Sequence, residues 1–178
     1  MRMGADETAR RGGAATDITI RRLAGESEAA ACAEMMASSE PWITLGRDYA
    51  ASYRLISDTT KEVYLAAAGD QIAGCIVLNL HGAFVGYIQS VCVAPGRRGA
   101  GVGTALVQFA ERRIFRLAPN VFICVSSFNQ RARRLYERLG YTVVGELHDY
   151  IIAGASEILL RKTIAPLAGW APPGDTAL

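Results

Sequence analysis

Residues 98–103 read Arg-Gly-Ala-Gly-Val-Gly, at the point where a β-like run gives way to a helical pattern. Gly99, Gly101 and Gly103 let the backbone turn tightly and let another molecule approach it with no Cβ in the way. A helix starting here leaves its first N–H groups without intrahelical partners and with a partial positive charge, which suits a phosphate or pyrophosphate. The run before the glycines, residues 84–93, ends at Ala94-Pro95, where proline withdraws a ladder donor. The chain is thereby committed to a strand, a tight turn and a helix around its middle.

The rest of the chain fits one domain built around that unit. At 178 residues it is long enough to bury roughly 70% of the surface its unfolded form exposes, and 51% of its residues are apolar. Residues 17–23 alternate as a strand, 27–39 and 47–56 read as helices separated by Glu40-Pro41-Trp42, and 62–68 with 71–80 form a hairpin about Gly69-Asp70. Beyond the glycines, Val102, Leu106, Phe109, Ala110 and Leu117 mark one helix face, and residues 121–125 are wholly apolar, as in a central strand buried on both faces. Ala132, Leu135, Tyr136 and Leu139 recur at helical spacing between a cap at Asn129 and a stop at Gly140. Residues 141–147 and 150–161 read as two closing strands, residues 1–16 as a leader and 164–178 as an irregular tail.

Composition excludes several classes. No apolar run approaches the roughly 18 residues of a membrane span, and the leader, with Arg2, Arg10 and Arg11, lacks the apolar stretch of a secretory signal. The four cysteines, 32, 75, 92 and 124, form no Cys-x-x-Cys pair and have no histidine at metal spacing, which favours a cytoplasmic protein without a metal; Cys75, Cys92 and Cys124, inside β-like apolar runs, read as small buried hydrophobes. The net charge is only +2, yet residues 97–138 hold nine Arg against Glu111 and Glu137. That local excess around the glycines is either two solvated helix faces or a field that attracts a polyanionic small molecule. Nucleic acid is disfavoured, because the arginines lack interleaved exposed aromatics and no nucleic-acid-binding motif is visible.

Two nucleotide motifs fail on specific residues. A P-loop needs Gly-Lys-Ser/Thr, and no lysine follows these glycines; a dinucleotide fingerprint needs an acid about 20 residues on, where Asn120 and Val121 stand. The combination Arg98-x-x-Gly101-x-Gly103 after a strand ending in Pro, followed by Asn129-x-x-Ala132-x-x-x-Tyr136-x-x-x-Gly140-Tyr141, instead resembles the GNAT superfamily of acetyl-CoA-dependent N-acetyltransferases. The resemblance spans residues 17–163.

The resemblance implies an α/β (α+β) domain with a mixed, mostly antiparallel sheet of about seven strands, helices on both faces and a splayed central strand pair. It places the pantetheine arm of acetyl-CoA along the backbone of Val91, Cys92 and Val93. The pyrophosphate falls on the N–H groups of Arg98, Gly99, Ala100, Gly101, Val102, Gly103 and Thr104, and the Asn129 amide contacts the pantetheine or pyrophosphate region. It also implies that Tyr136 protonates the departing CoA thiolate, although a tyrosine on an apolar helix face is otherwise a packing residue. Transfer would run by direct attack of a primary amine, of a peptide or of a small molecule. A non-catalytic acyl-CoA-binding or sensing module is the alternative.

The base that frees the amine is less legible. Some relatives carry a glutamate on the central strand or on the strand before the tyrosine helix, but residues 86–93 and 120–126 contain no acid. Glu40, between the first two helices, is the expected base; Glu157, His81 and water are the alternatives, and Trp42 is either a wall of the acceptor pocket or a packing aromatic. A lysine amine of pKa about 10.4 is neutral roughly four times in ten thousand at pH 7, an α-amino group of pKa about 7.8 roughly one time in seven. An acceptor amine of low pKa would therefore need least help. The acceptor itself and the oligomeric state, a homodimer among the alternatives, are not written in the sequence.

Overall fold

The computed structural model describes residues 18–173, so the leader and residues 174–178 of the tail lie outside the described residues. Seven strands form one sheet: β1 (Ile18–Arg22), β2 (Glu62–Ala68), β3 (Gln71–Asn79), β4 (Tyr87–Val93), β5 (Asn120–Ser126), β6 (Thr142–His148) and β7 (Ser156–Thr163). Their spatial order is β1-β2-β3-β4-β5-β7-β6, antiparallel throughout except where β4 meets β5. Helices α1 (Gly25–Ala37) and α2 (Tyr49–Ile56) cover one face; α3 (Val102–Ile114) and α4 (Gln130–Arg138) cover the other.

Strand alternation divides the core in two. On β2, Tyr64, Ala66 and Ala68 face α3, packing with Leu106, Val107, Ala110 and Ile114, while Val63 and Leu65 face Cys32, Met36 and Trp42 on the α1 side. Burying a side chain such as Leu106 or Ile114 contributes about 1.5–3 kcal/mol, and both are fully buried. This two-sided burial is why β2 and β3 read as nearly continuous apolar runs.

The sheet is interrupted at its centre. In the β3–β4 ladder Val77 pairs with Ser90 and Leu78 with Ile88, so Gln89 is an extra residue, a bulge that bends β4. Ile88 packs on the α3 side; beyond the bulge Val91 and Val93 do so too, and Cys92 turns to the α1 side. β4 then pairs with β5 only at Tyr87–Phe122 and Ile88–Ile123, whereas β5 and β7 pair along their whole length. The expected splayed pair is present, and it leaves a cleft between Val91 and Val125.

Four sequence-based boundaries differ. Residues 84–86 form a turn rather than the start of β4, because Gly86 takes φ +91°, and its carbonyl accepts the Phe122 N–H at 3.0 Å. Helix α3 ends at Ile114, and Leu117 lies past it, 43% exposed, in a tight turn before Pro119. Helix α2 starts at Tyr49 because the Asp48 carboxylate accepts the Ala51 N–H at 2.8 Å, which leaves Arg47 outside the helix. Residues 149–155 form a turn closed by Asp149 Oδ1 on the Gly154 N–H at 2.6 Å, so β7 begins only at Ser156.

Candidate active site

Two cavities open on the central cleft and meet. The smaller, about 430 Å³, is bordered by Val91, Val93, the glycine loop and one side of α4. The larger, about 580 Å³, lies between β4, β5, β7, the α1–α2 loop and the 149–155 turn. Pro41, Trp42, Val91, Asn129, Ala132 and Tyr136 line both, so together they make one continuous channel across the sheet's split.

The smaller cavity is a backbone cradle. Gly101 caps α3 in a left-handed conformation, φ +83°, with no side-chain cap, and Gly99 takes φ +89°. An L side chain at either position would strain the backbone by about 1–2 kcal/mol. Among the described residues, the N–H groups of Gly99, Gly101, Val102, Gly103 and Thr104 donate to no acceptor, and α3 points its positive end at them. The Arg98 and Ala100 N–H groups are held by weak 3.4 Å turn bonds, and the Arg98 side chain folds back to donate from Nε to the Val93 carbonyl at 3.3 Å. Arg98, Arg131 and Arg138 border the cavity, and no carboxylate lines it except Glu40 at its rim. A donor cradle fringed by guanidinium groups fits a diphosphate.

Asn129 spends its carbonyl oxygen on the cap of α4, accepting the Ala132 N–H at 3.2 Å, which leaves its amide N–H₂ facing the shared part of the channel. Tyr136 is 5% exposed, on the apolar face of α4, with its ring 5.9 Å from that of Tyr141. Its hydroxyl donates to no protein acceptor among the described residues. Unlike that of Tyr141, however, it is not sealed from the surface. It therefore opens where the two cavities meet. Burial alone pushes its pKa up, so the phenol stays protonated at neutral pH.

The larger cavity is walled by side chains from distant parts of the chain. Phe122 and Cys124 of β5 are only half-buried, contrary to the expectation of a strand covered on both faces. Phe122 packs against Phe84 of the turn before β4, while Cys124 lies beyond the last position paired with β4 and lines the cavity. Cys75 and Cys92 are buried as expected, Cys32 is buried as well, and all four cysteines are free.

Glu157, on β7, is the carboxylate inside this cavity. It is 5% exposed, and its Oε1 accepts the Ser126 hydroxyl proton at 2.5 Å. Oε2 has no protein partner among the described residues yet is not among the sealed polar atoms, so it opens on the cavity. Burial raises its pKa, opposed by the Ser126 hydrogen bond and by the charge of Arg47. Glu40, the expected base, stands elsewhere: its Oε2 accepts the Thr44 N–H at 3.3 Å, its side chain is exposed, and it borders the glycine-loop cavity. His81 lines the larger cavity from an exposed turn.

Arg47 and Ser126 did not stand out in the sequence. Arg47 reads as helix surface until Asp48 is recognised as the cap, and Ser126 ends an apolar strand without comment. The available signal was Glu157 itself: an acid in a strand that continues Ile158-Leu159-Leu160 needs a partner or a cavity.

Among the described residues no group of three or more His, Cys, Asp or Glu side chains is placed to hold a metal, and no helix is long and apolar enough to cross a membrane. The acetyltransferase (GNAT) family model matches residues 28–141. An uncharacterized N-acetyltransferase of Methanocaldococcus jannaschii is 34% identical over 101 residues, 56% of this chain and 64% of that protein, so the match spans just under two thirds of that relative. An acetyltransferase of the GNAT family from Desulfovibrio desulfuricans superposes with a TM-score of 0.70 at 21% identity, covering 84% of this chain and all of that one. An aminoglycoside 6′-N-acetyltransferase solved with coenzyme A superposes with a TM-score of 0.68 at 16% identity, covering 83% of this chain and 98% of the other.

Proposed function

The chain belongs to the GNAT acetyltransferase family, and on that premise we propose that it moves an acetyl group from acetyl-CoA to a primary amine by direct attack, with Tyr136 as general acid. The observation that carries this reading is the Tyr136 hydroxyl, open to the channel where a phosphate-fitting backbone cradle meets a side-chain-walled cavity. In that geometry the diphosphate of acetyl-CoA rests on the free N–H groups from Gly99 to Thr104. The pantetheine arm runs along Val91, Cys92 and Val93, where β4 is paired with β3 but has no partner on its β5 side, and the thioester reaches Tyr136.

The acceptor amine enters from the larger cavity. Its nitrogen attacks the thioester carbonyl carbon, the tetrahedral intermediate collapses with cleavage of the C–S bond, and the sulfur leaves with the proton of the Tyr136 hydroxyl. A protonated phenol is a competent donor to a thiolate whose conjugate acid has a pKa about 8.5. The proton released by the nitrogen goes to a carboxylate. Of the two candidates, Glu157 has an oxygen facing the acceptor cavity and a pKa raised toward neutrality, whereas the Glu40 carboxylate is engaged by a backbone N–H at the rim.

Release of free CoA thiol from acetyl-CoA, followed over a panel of primary amines, tests the reading. Amine-dependent release with a matching acetylated product is the expected result. Tight acetyl-CoA binding with no release above the rate in buffer for any amine would overturn it in favour of an acyl-CoA-binding module.

A further inference from the structure

The charges inside the larger cavity are few and opposite. Of the residues that line it, Glu157 is the acid, Arg47 the permanent cation and His81 the remaining titratable base. The rest of the lining is aromatic, aliphatic or neutral polar, with Trp42, Phe84, Tyr87 and Tyr150 as the large walls. This is a poor place for a polycation, because each extra ammonium would be desolvated without a carboxylate to receive it.

Arg47 is the unused group. It is partly buried, yet among the described residues its guanidinium makes no ion pair and no hydrogen bond. The one acid beside it in the chain, Asp48, is spent on the cap of α2. The backbone that carries it is fixed: Arg47 N–H donates to the Trp42 carbonyl at 2.9 Å, Leu45 N–H to that of Pro41 at 3.0 Å, and the Trp42 side chain is buried. A guanidinium presented on a rigid loop, facing a cavity and lacking a protein acceptor, offers paired donors in the geometry that carboxylates fit. Glu157 feels its charge but makes no ion pair or hydrogen bond with it, its Oε1 being on Ser126.

We propose that the acceptor is a small amine that also carries an anionic group, a carboxylate, held with its amine toward Glu157 and Tyr136 and its carboxylate on Arg47. This rests on the acetyltransferase reading, which it narrows to amino-acid-like acceptors with an apolar body for the aromatic walls. The two charges of the acceptor match the two of the cavity, so the bound pair is neutral and no charge is left desolvated. Because Glu157 takes up the amine's proton, the acceptor does not need the low-pKa amine of a peptide N-terminus.

Acceptors that differ chiefly in the carboxylate test this: phenylalanine against phenethylamine, whose amines are of similar basicity, with the less basic phenylalaninamide to vary amine pKa and β-alanine and spermidine to vary spacing and charge. The full-length wild-type chain is expected to favour the carboxylate-bearing partner by about tenfold or more in kcat/KM. Compared on the pH plateau, because loss of the Arg47 charge also raises the Glu157 pKa, R47Q should erase that preference by raising KM for phenylalanine far more than for phenethylamine; R47K should restore part of it. An equal or better wild-type rate with phenethylamine or with spermidine overturns the proposal, and so does an R47Q variant that loses activity equally toward all acceptors. The same pairs, read by ligand-induced shifts of Tm in wild type and R47Q, decide the question without turnover. A chain that binds phenylalanine through Arg47 but releases no CoA overturns the acetyltransferase reading and leaves the binding assignment standing.

Discussion

The two cavities that meet at Tyr136 are made in different ways. The glycine-loop cavity is a stretch of backbone: five free N–H groups from consecutive turns of one segment, with the dipole of α3 behind them. The larger cavity is made of side chains from the α1–α2 loop, β4, β5, β7 and the turn before β7, brought together only by the split sheet. A backbone cradle tolerates changes in most side chains and fails when its conformation fails. A side-chain cavity can change its occupant with one substitution and keep its fold. The first suits a donor common to many enzymes, the second an acceptor peculiar to one.

The contrast can be strained from both sides. The largest effect is expected at the junction. Y136F should lower kcat by about 10²–10³-fold, the range for losing a positioned proton donor, with acetyl-CoA affinity unchanged by calorimetric titration. An unaltered kcat would reduce Tyr136 to packing against Tyr141.

On the side-chain face, E157Q should lower kcat/KM by about 10²-fold at neutral pH, and E40Q by less than about threefold. The pH profile separates the two further. Burial raises the Glu157 pKa, so its deprotonated, proton-accepting form is lost as pH falls through a range above that of an ordinary carboxylate. The acid limb of wild-type kcat/KM should therefore lie above the usual carboxylate range and vanish in E157Q. The reverse ranking of the two variants would move the base to the α1–α2 loop.

On the backbone face, G101A meets no neighbouring atom within 4 Å, so its cost is conformational, about 1–2 kcal/mol for a left-handed alanine. It should appear as acetyl-CoA binding weakened by about tenfold and a Tm lower by a few degrees, with no change in acceptor preference. Unchanged acetyl-CoA affinity would mean that the loop does not carry the diphosphate.

The smallest effect is expected from S126A. The Ser126 hydrogen bond holds the Glu157 pKa down against burial, so its loss, like that of the Arg47 charge, raises the pKa further. The acid limb should move to higher pH, with the plateau rate kept. Tyr87 and Cys124, which also face Glu157, are neutral in this range because burial raises both, so they leave the sign unchanged.

Most of the fold was legible because its signals are local. Alternation located β1, the Gly69-Asp70 turn located the β2–β3 hairpin, helical spacing located α3 and α4, and Asn129 and Gly140 marked the ends of α4 where caps and left-handed stops must fall. Three of the four misplaced boundaries share one cause, a side chain or glycine that delays the start of an element: Gly86 before β4, Asp48 before α2, Asp149 and Gly154 before β7. Each is a single hydrogen bond or a single dihedral angle, too small to register in a periodicity. The Asp48 cap mattered most, because it moves Arg47 from a helix surface to the wall of a cavity.

By itself, then, the sequence determined the family, the strand–turn–helix cradle and the tyrosine helix, since all are written in short consecutive stretches whose backbone conformation follows from glycine, proline and apolar spacing. Only the tertiary structure decided where an acceptor would sit and what charges would meet it. Residues 47, 126 and 157 lie far apart in the chain. They share a cavity because one extra residue in β4 bends that strand from β5 and turns the cleft between them toward the α1–α2 loop.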